Sequence, residues 1–301
     1  MLSAGFKHLG KGNPCPICAH VNHRSNDNWC TISDDEAVVH CRRITQGAFK
    51  LSPKGDGGYH RLKYSTPHAP PPQPKPKPHR NWNNLIRSCQ FAYNRDSHGL
   101  PYRLGLSPES LNRQGIGWIA ASQLADLKTE CYGQGCWTFP MWDGDRICGV
   151  RLRSTNGHKY SIAGSDHGIF IPENNHTGGT LLMPEGPTSL GAVLDLGLEG
   201  IGRPNNRLGL AAIRLYVRRA RPRRIIIVGD NDERYNEHLG RNEWPGKDGA
   251  EFICAGLKGM APTVEVLMPP DGIKDVRKWL LGGATANDAR QWIAGGRLVG
   301  A

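Results

Sequence analysis

The segment RIIIVGDND, residues 224–232, and the segment LLMPEG, residues 181–186, decide the fold of this chain. Each is a short apolar run that ends abruptly in acidic residues. Such a run, bounded by turn residues, predicts a buried strand of a parallel sheet. Ligand sites of parallel sheets form at the carboxyl ends of the strands. We therefore expect Glu185, Asp230 and Asp232 to meet at one edge of a sheet.

Crowded carboxylates at that edge predict a divalent cation. Negative charges close together repel each other, and a cation removes the repulsion. Ligands that offer only oxygen atoms suit Mg²⁺ or Mn²⁺. The alternative is structural, in that each acid caps the helix that follows its strand.

The chain divides into four predicted regions. From about Thr180 onward, strands alternate with helices, which predicts a parallel sheet with helices on its faces. Before it, WTFPMW, RICGVRLR and HKYSIA predict three strands, because Asp-Gly and Asn-Gly turns separate them. The predicted regions are a small N-terminal module over 1–65, a stiff proline-rich linker over 66–80, a mixed α+β subdomain over 81–178 and the α/β domain over 179–301.

Charge and composition limit the partners and the compartment. The 301 residues include 38 Lys and Arg against 27 Asp and Glu, and the net charge of +11 favours a polyanionic partner such as nucleic acid. No apolar run approaches the ~18 residues of a membrane span, and no apolar signal core begins the chain. We therefore expect a soluble cytoplasmic protein without a membrane partner. The nine cysteines then indicate thiols or metal ligands rather than disulfides.

Four cysteines of the N-terminal module have spacing typical of a zinc site. They form the pattern C-x2-C-x11-C-x10-C, and four thiolates make a closed tetrahedral site for Zn²⁺. A module of about 60 residues with few large apolar side chains needs a stabilising cross-link such as a bound metal ion. The predicted ligands are Cys15, Cys18, Cys30 and Cys41.

Other ligand sets remain open in this module. Its histidines compete with the cysteines as ligands, and free thiols are the structural alternative. A pair outside the module, Cys131-x4-Cys136, is a candidate for a second site. The competing ligands are His20, His23 and His40.

The predicted strands ahead of the parallel sheet carry basic residues. Arg151 and Arg153 lie on one face, because side chains alternate between the faces of a strand. A basic face beside an acidic metal cluster could hold a template strand or triphosphates. The alternative is a solvated sheet face. Arg146 and Lys159 are the other basic residues of these strands.

These motifs together resemble Toprim-type DNA primases. The Toprim pattern is a strand ending in Glu-Gly, a later strand ending in Asp-x-Asp, and a further acid. Here these are Glu185-Gly186, Asp230-Asn231-Asp232, and Asp275 in GIKDVRKWL. The middle strands resemble the region ahead of Toprim in bacterial replicative primases through Phe139-Pro140, Asp143, Arg146, Gly149, Arg153 and Lys159-Tyr160. With the zinc module and linker, nearly the whole chain resembles the primase half of phage and plasmid primase-helicases.

The resemblance implies a fold and an activity. The fold would be an α/β Toprim core with a parallel sheet and flanking helices, a mixed α+β subdomain and a small zinc-ribbon-like module. The activity would be synthesis of short RNA primers from nucleoside triphosphates on a single-stranded DNA template, beside a separate replicative helicase. Catalytic Mg²⁺ or Mn²⁺ would be held by Asp230 and Asp232, with structural Zn²⁺ in the N-terminal module selecting the initiation sequence.

The resemblance also implies roles for individual residues. Glu185 would act as general base or complete the metal site, and Asp275 would be a further acidic ligand. The groups expected to contact phosphates of substrate or template are Arg146, Arg151, Arg153, Lys159, Lys247 and Lys274.

The chain departs from the family pattern at two places. Ser189 stands where the family often has an acid three residues after Glu-Gly. Residues 233–247 intervene before a helix predicted to start near Asp248, and we expect them either to order over a triphosphate through Lys247 or to be a surface insertion without a role.

Two other classes share these acids. A Toprim nuclease would use them with water as the nucleophile, and a non-catalytic single-stranded DNA-binding replication protein would keep them as relics. A topoisomerase would need a catalytic tyrosine in another domain. The chain has no Walker A motif and thus no helicase ATPase site of that type.

Overall fold

The computed structural model describes residues 5–9, 13–19, 30–53, 57–62, 80–175, 178–236 and 241–295. The chain forms two compact units, Met1–Pro76 and Lys77–Ala301. Apart from Arg80, the predicted linker 66–80 lies outside the described residues, as do His20 and His23. The boundaries of the four predicted regions therefore stay predictions.

The described part of the N-terminal unit is an antiparallel sheet. Its strands are ordered β1-β2-β3-β5-β4, and β2 and β3 form a hairpin that turns at Asp34-Asp35. Its small core contains Leu9, Ile32 and Val39 together with cysteine side chains. The strands are β1 Phe6–His8, β2 Cys30–Ser33, β3 Val38–Cys41, β4 Lys50–Leu51 and β5 Gly58–Arg61.

The second unit begins with helices packed on a four-stranded antiparallel sheet of order β6-β7-β8-β9. Its last three strands were predicted, whereas β6 and α4 were not. Arg153 lies directly opposite Lys159 in this sheet. The elements are α1 Trp82–Arg95, α2 Leu100–Leu104, α3 Pro108–Arg113, β6 Gly117–Ala120, α4 Ala121–Asp126, β7 Gly135–Asp143, β8 Arg146–Ser154 and β9 Lys159–Ser161.

A parallel sheet of order β10-β11-β14 follows, with helices between its strands, and a short hairpin β12-β13 stands outside it. None of the helices in the described part of the chain combines the length and apolarity needed to cross a membrane. The elements are β10 Thr180–Met183, α5 Gly186–Asp195, α6 Leu210–Ala220, β11 Arg224–Val228, β12 Arg234–Asn236, β13 Arg241–Glu243, α7 Pro245–Leu257, β14 Thr263–Leu267, α8 Val276–Leu281 and α9 Ala286–Ala294.

The central strand β11 has a continuous apolar run because it is buried on both faces. Ile226 and Val228 join a core on one face of the sheet, with residues of α5 and α8. Ile225 and Ile227 join a second core on the other face, with residues of α6 and α7. Burying each such side chain contributes about 1.5–3 kcal/mol, so this strand is fixed from both faces. The chain beyond α5 also runs parallel beside β10, where Gly200 bridges Leu182.

Candidate active site and metal sites

The acids follow the carboxyl ends of the parallel strands. Glu185 comes two residues after β10, Asp230 and Asp232 come just after β11, and Asp275 lies between β14 and α8. Because β10 and β11 are parallel neighbours in register, Met183 opposite Ile227, the strand ends lie side by side. The structure thus brings these acids to one edge of the sheet, as their positions in the sequence predict.

Electrostatics at this edge show how closely the acids interact. Burial, and then the carboxylates of Glu185 and Asp275, raise the pKa of Asp230 to about 7. Burial also raises the pKa of Glu185, and Asp232 adds to the rise, while Arg203, Lys159 and Arg151 oppose it. The carboxylates therefore cannot all be charged at low cost without a further cation, and a set of oxygen ligands fits Mg²⁺ or Mn²⁺.

Helix capping occupies Asp275 but not Glu185. Glu185 stands at the N-cap position of α5, but its side chain makes no capping hydrogen bond there. Asp275 is the N-cap of α8, and its Oδ1 accepts a hydrogen bond of 2.8 Å from the amide of Lys278. The carboxylate of Glu185 is therefore free for another role, whereas one oxygen of Asp275 is already used.

A fully buried cation, Arg203, lies beneath the acids. It was not predicted from the sequence. Its guanidinium donates to the carbonyl oxygens of Met183 (3.0 Å), Val228 (2.8 Å) and Asn206 (3.1 Å). Met183 ends β10 and Val228 ends β11, so one side chain joins both acid-bearing strand ends. The only signal in the sequence is a charged residue within IGRPNN, between two apolar elements.

The β12-β13 hairpin follows Asp232, and the helix after it starts earlier than predicted. Helix α7 begins at Pro245, three residues before the predicted start near Asp248. The amide of Gly246 in its first turn donates to Asp232 Oδ1 at 2.7 Å. Lys247 lies in the same turn, with its Nζ 3.9 Å from Glu251 Oε1. The helix start therefore already binds an acid of the site.

Basic side chains of the antiparallel sheet face the acids. Arg151 donates to the carbonyl of Pro204 at 3.2 Å, and burial lowers its pKa while Glu185 opposes that shift. Desolvation, then the neighbouring guanidinium groups of Arg153 and Arg277, lower the pKa of Lys159. Arg277 was not predicted, although it lies in the same GIKDVRKWL segment as Asp275.

Of two other residues predicted to contact phosphates, Arg146 lies apart from this group, whereas Lys274 lies beside Asp275. Arg146 is at the tip of the β7-β8 hairpin, where its Nη2 is 3.3 Å from Asp143 Oδ2. It is five residues along β8 from Arg151, about 16 Å at the usual rise per residue. The structure therefore does not bring Arg146 to the acids. Lys274 is exposed, and its carbonyl accepts a hydrogen bond of 2.7 Å from the amide of Asn231.

The four N-terminal cysteines form a compact cluster. Their sulfur atoms all lie within 4.8 Å of one another, and in the described ranges no other group of three or more His, Cys, Asp or Glu side chains is as close. Cys18 Sγ is 3.6 Å from Cys30 Sγ, which is 3.8 Å from Cys41 Sγ. Four sulfurs each at about 2.3 Å from a central Zn²⁺ would be about 3.8 Å apart, and disulfides are far shorter. The cluster fits a tetrahedral metal site.

Fold and site together define a class of α/β protein. Its parallel sheet ends in acids, and a basic antiparallel sheet faces them. The same chain carries a cysteine cluster in its N-terminal unit. Solved structures similar to the chain include primase cores. A DnaG catalytic core aligns with a TM-score of 0.54 and 15% identity over 72% of this chain and 79% of that chain. The Escherichia coli primase catalytic core gives 0.52 and 16% over 72% and 79%. The Aquifex aeolicus primase, with its zinc-binding and RNA polymerase domains, gives 0.51 and 13% over 71% and 60%.

These likenesses establish the fold. The chain has the fold of the DnaG-type primase core, with a parallel Toprim sheet, which confirms the predicted fold class and the resemblance at that level. No protein-family model matches the chain, and no curated protein matches it in sequence.

Proposed function

We propose that the protein is a DNA primase, which synthesises short RNA primers on single-stranded DNA by metal-dependent nucleotidyl transfer. The observation that carries the proposal is the pairing of two features within a DnaG-type fold. Acids at the ends of β10 and β11 interact strongly with one another, and the basic residues Arg151 and Lys159 face them from a separate sheet. A nucleotidyl transferase needs both, because its substrates are polyanions and its catalytic metal needs carboxylates.

Asp230 and Asp232 would hold Mg²⁺ or Mn²⁺, and Asp275 would complete the acidic set with its oxygen that is not used in capping. When bound, the ion would activate the primer 3′-hydroxyl and neutralise charge on the departing pyrophosphate. Glu185 would accept the proton of that hydroxyl, because its carboxylate is not used in capping and burial raises its pKa, which makes it a better proton acceptor. Arg203 would keep the two acid-bearing strand ends at a fixed separation.

The basic residues would orient substrate and template. Arg151, Arg153 and Lys159 lie on the sheet that faces the acids, and Arg277 adds a fourth charge that the pattern of the family did not suggest. These groups would bind phosphates of the incoming triphosphate or of the template strand. Lys247 follows Gly246, whose amide donates to Asp232, and the carbonyl of Lys274 accepts from the amide of Asn231, so both lysines are close enough in the chain to the acids to bind phosphates there.

The cysteine cluster would hold one structural Zn²⁺ through Cys15, Cys18, Cys30 and Cys41. The Aquifex aeolicus primase structure includes a zinc-binding domain, which supports this assignment. We propose that the module over 1–65 selects the initiation sequence and that the linker over 66–80 lets it reach template held by residues 81–301. The structure of a DnaG catalytic domain bound to single-stranded DNA supports such a template as partner. A separate helicase would supply that strand.

One assay separates this proposal from the alternatives. The purified chain is incubated with single-stranded DNA, labelled ribonucleoside triphosphates and Mg²⁺ or Mn²⁺, and both products and template are followed. A primase forms short labelled RNA and leaves the template intact. Shortened template without RNA would identify a nuclease, and binding without either change would identify a non-catalytic DNA-binding protein.

A further inference from the structure

Residues 200–229 are strongly basic, and the active site does not use most of that charge. The segment contains eight arginines and no aspartate or glutamate. Three of the eight side chains make hydrogen bonds or an ion pair with residues of the parallel-sheet domain. Arg203 joins the strand ends, Arg214 donates to the carbonyl of Gly256, and Arg224 pairs with Glu265.

The exposed arginines gather where α6 ends and β11 begins. Arg218, Arg221 and Arg223 are exposed, and in the described part of the chain no carboxylate lies within ion-pairing distance of them. Arg219 pairs with Asp145 in the turn of the β7-β8 hairpin. That contact places the hairpin tip beside the end of α6. We call this surface the arginine patch: Arg146, Arg218, Arg219, Arg221 and Arg223.

The patch explains the position of Arg146. The residue does not reach the acids, yet its side chain is 76% exposed at the hairpin tip, next to the Asp145 that contacts Arg219. The β7-β8 hairpin and the end of α6 therefore contribute guanidinium groups to one surface. The positive charges of the patch repel one another, because too few acids lie among them. The arrangement therefore does not stabilise the fold unless a polyanion binds it.

The patch lies at the opposite end of the sheet from the acids. Arg224 starts β11 and Asp230 follows its end, six residues later, which is about 20 Å in an extended strand. A nucleotide in the active site therefore cannot touch the patch. A longer strand can, and guanidinium groups match the geometry of its phosphates.

We propose that the arginine patch is a second binding surface for the phosphate backbone of single-stranded DNA, which holds template that extends beyond the active site. The choice of partner rests on the proposed function, and the net charge of +11 agrees with it. Contacts are made to phosphates and not to bases, so binding there is independent of sequence.

The test compares variants with equal changes in charge. The patch variant carries Arg218→Gln, Arg221→Gln and Arg223→Gln. The control carries Arg87→Gln, Arg95→Gln and Arg290→Gln, three exposed arginines elsewhere in the same unit. Affinity for a single-stranded oligonucleotide of about 30 nucleotides is measured against salt concentration, because each phosphate contact to a single strand adds about 0.7 to the slope of log affinity against log salt.

We expect the slope to fall by about 2 in the patch variant, as for three lost contacts, and to change little in the control. A variant with lysine at the same three positions should keep the slope, since it keeps the charge. Primer synthesis at saturating template should be preserved in all three. Equal slopes in the wild type and the patch variant, or an equal loss in the control, would overturn the proposal. The slopes remain measurable even if the wild type makes no primers, so this proposal and the proposed function can fail separately.

Discussion

At the residue scale, Asp230 and Arg203 show how charge is balanced beneath the site. Burial, and then neighbouring carboxylates, make ionisation of Asp230 unfavourable, and Arg203 supplies a fully buried positive charge nearby. The acids themselves could be predicted from the sequence, because strand ends of a parallel sheet are where ligand sites form. Arg203 could not, because its burial depends on the segment after α5 folding back beside β10.

Asp230→Asn should stabilise the protein in buffer without Mg²⁺ or Mn²⁺. The folded-state pKa of Asp230 is about 7, against an ordinary value of 3.8, so the folded state loses stability as pH rises between those values. The side-chain amide of the asparagine in the variant does not ionise, so the variant avoids this loss. The gain should be largest above pH 7, no more than about 4 kcal/mol, and absent below about pH 4. Thermal unfolding of both proteins across pH measures it, and a gain that grows at low pH would contradict the assigned environment.

Arg203→Met should lower both stability and metal affinity. The change keeps much of the side-chain length but removes the donor to three carbonyl oxygens, two of them in buried hydrogen bonds, and we expect a loss of about 3–5 kcal/mol. Loss of the positive charge should raise the pKa of Asp230 and Glu185 further. Binding of Mn²⁺ should therefore shift to higher pH. Arg203→Lys is the matched variant, since it keeps the charge without reaching all three carbonyls; an unshifted pH dependence in Arg203→Met would limit Arg203 to packing.

At the scale of elements, the parallel strands were predictable and the start of α7 was not. The strands are buried on both faces, so their apolar runs are continuous and distinct. Helix α7 begins at Pro245, and proline at the first helical position is itself a start signal, but the start was predicted near Asp248. The distance of Arg146 from the acids was not predictable either. Alternation along a strand predicts the face of a residue but not its distance from a site on another sheet.

Gly246→Ala should inactivate the site without any change of charge. A Cβ at this position would lie 2.6 Å from the carbonyl oxygen of Asp230 and 2.8 Å from Asp232 Oδ1. Contacts this short require the first turn of α7 or the two acids to move. We expect primer synthesis to fall at least about tenfold, as a misplacement of about 1 Å can cost far more. Gly179→Ala is the control, because nothing lies within 4 Å of its Cβ; equal activity of the two variants would show that the turn adjusts freely.

At the scale of the whole molecule, the two units have different requirements for stability. The parallel-sheet unit has extensive cores, whereas the N-terminal unit has a small cluster of apolar side chains around its cysteines. The sequence could predict the cysteine site because ligand spacing is local. It could not predict the arginine patch, since that surface forms only when a hairpin tip and a helix end meet.

Cys18→Ser should release the zinc that we propose for the N-terminal unit. Serine is a poor ligand for Zn²⁺ beside three thiolates, and a unit with so small a core depends on the metal. Metal analysis of the purified protein should show one zinc in the wild type and none in the variant. Cys254→Ser, at a half-buried thiol outside the cluster, should keep the metal. Full retention of zinc by Cys18→Ser would remove this cysteine from the site.

The central claim is that the acids at the ends of β10 and β11 form the catalytic centre of a primase. It is tested most directly by primer synthesis on single-stranded DNA with Asp232→Asn beside the wild type. The variant keeps an oxygen that can accept from the amide of Gly246 and removes only the charge. We predict metal-dependent RNA primers from the wild type and a loss of at least about 100-fold in the variant, with DNA binding unchanged. Primer synthesis at the wild-type rate by Asp232→Asn would contradict the claim.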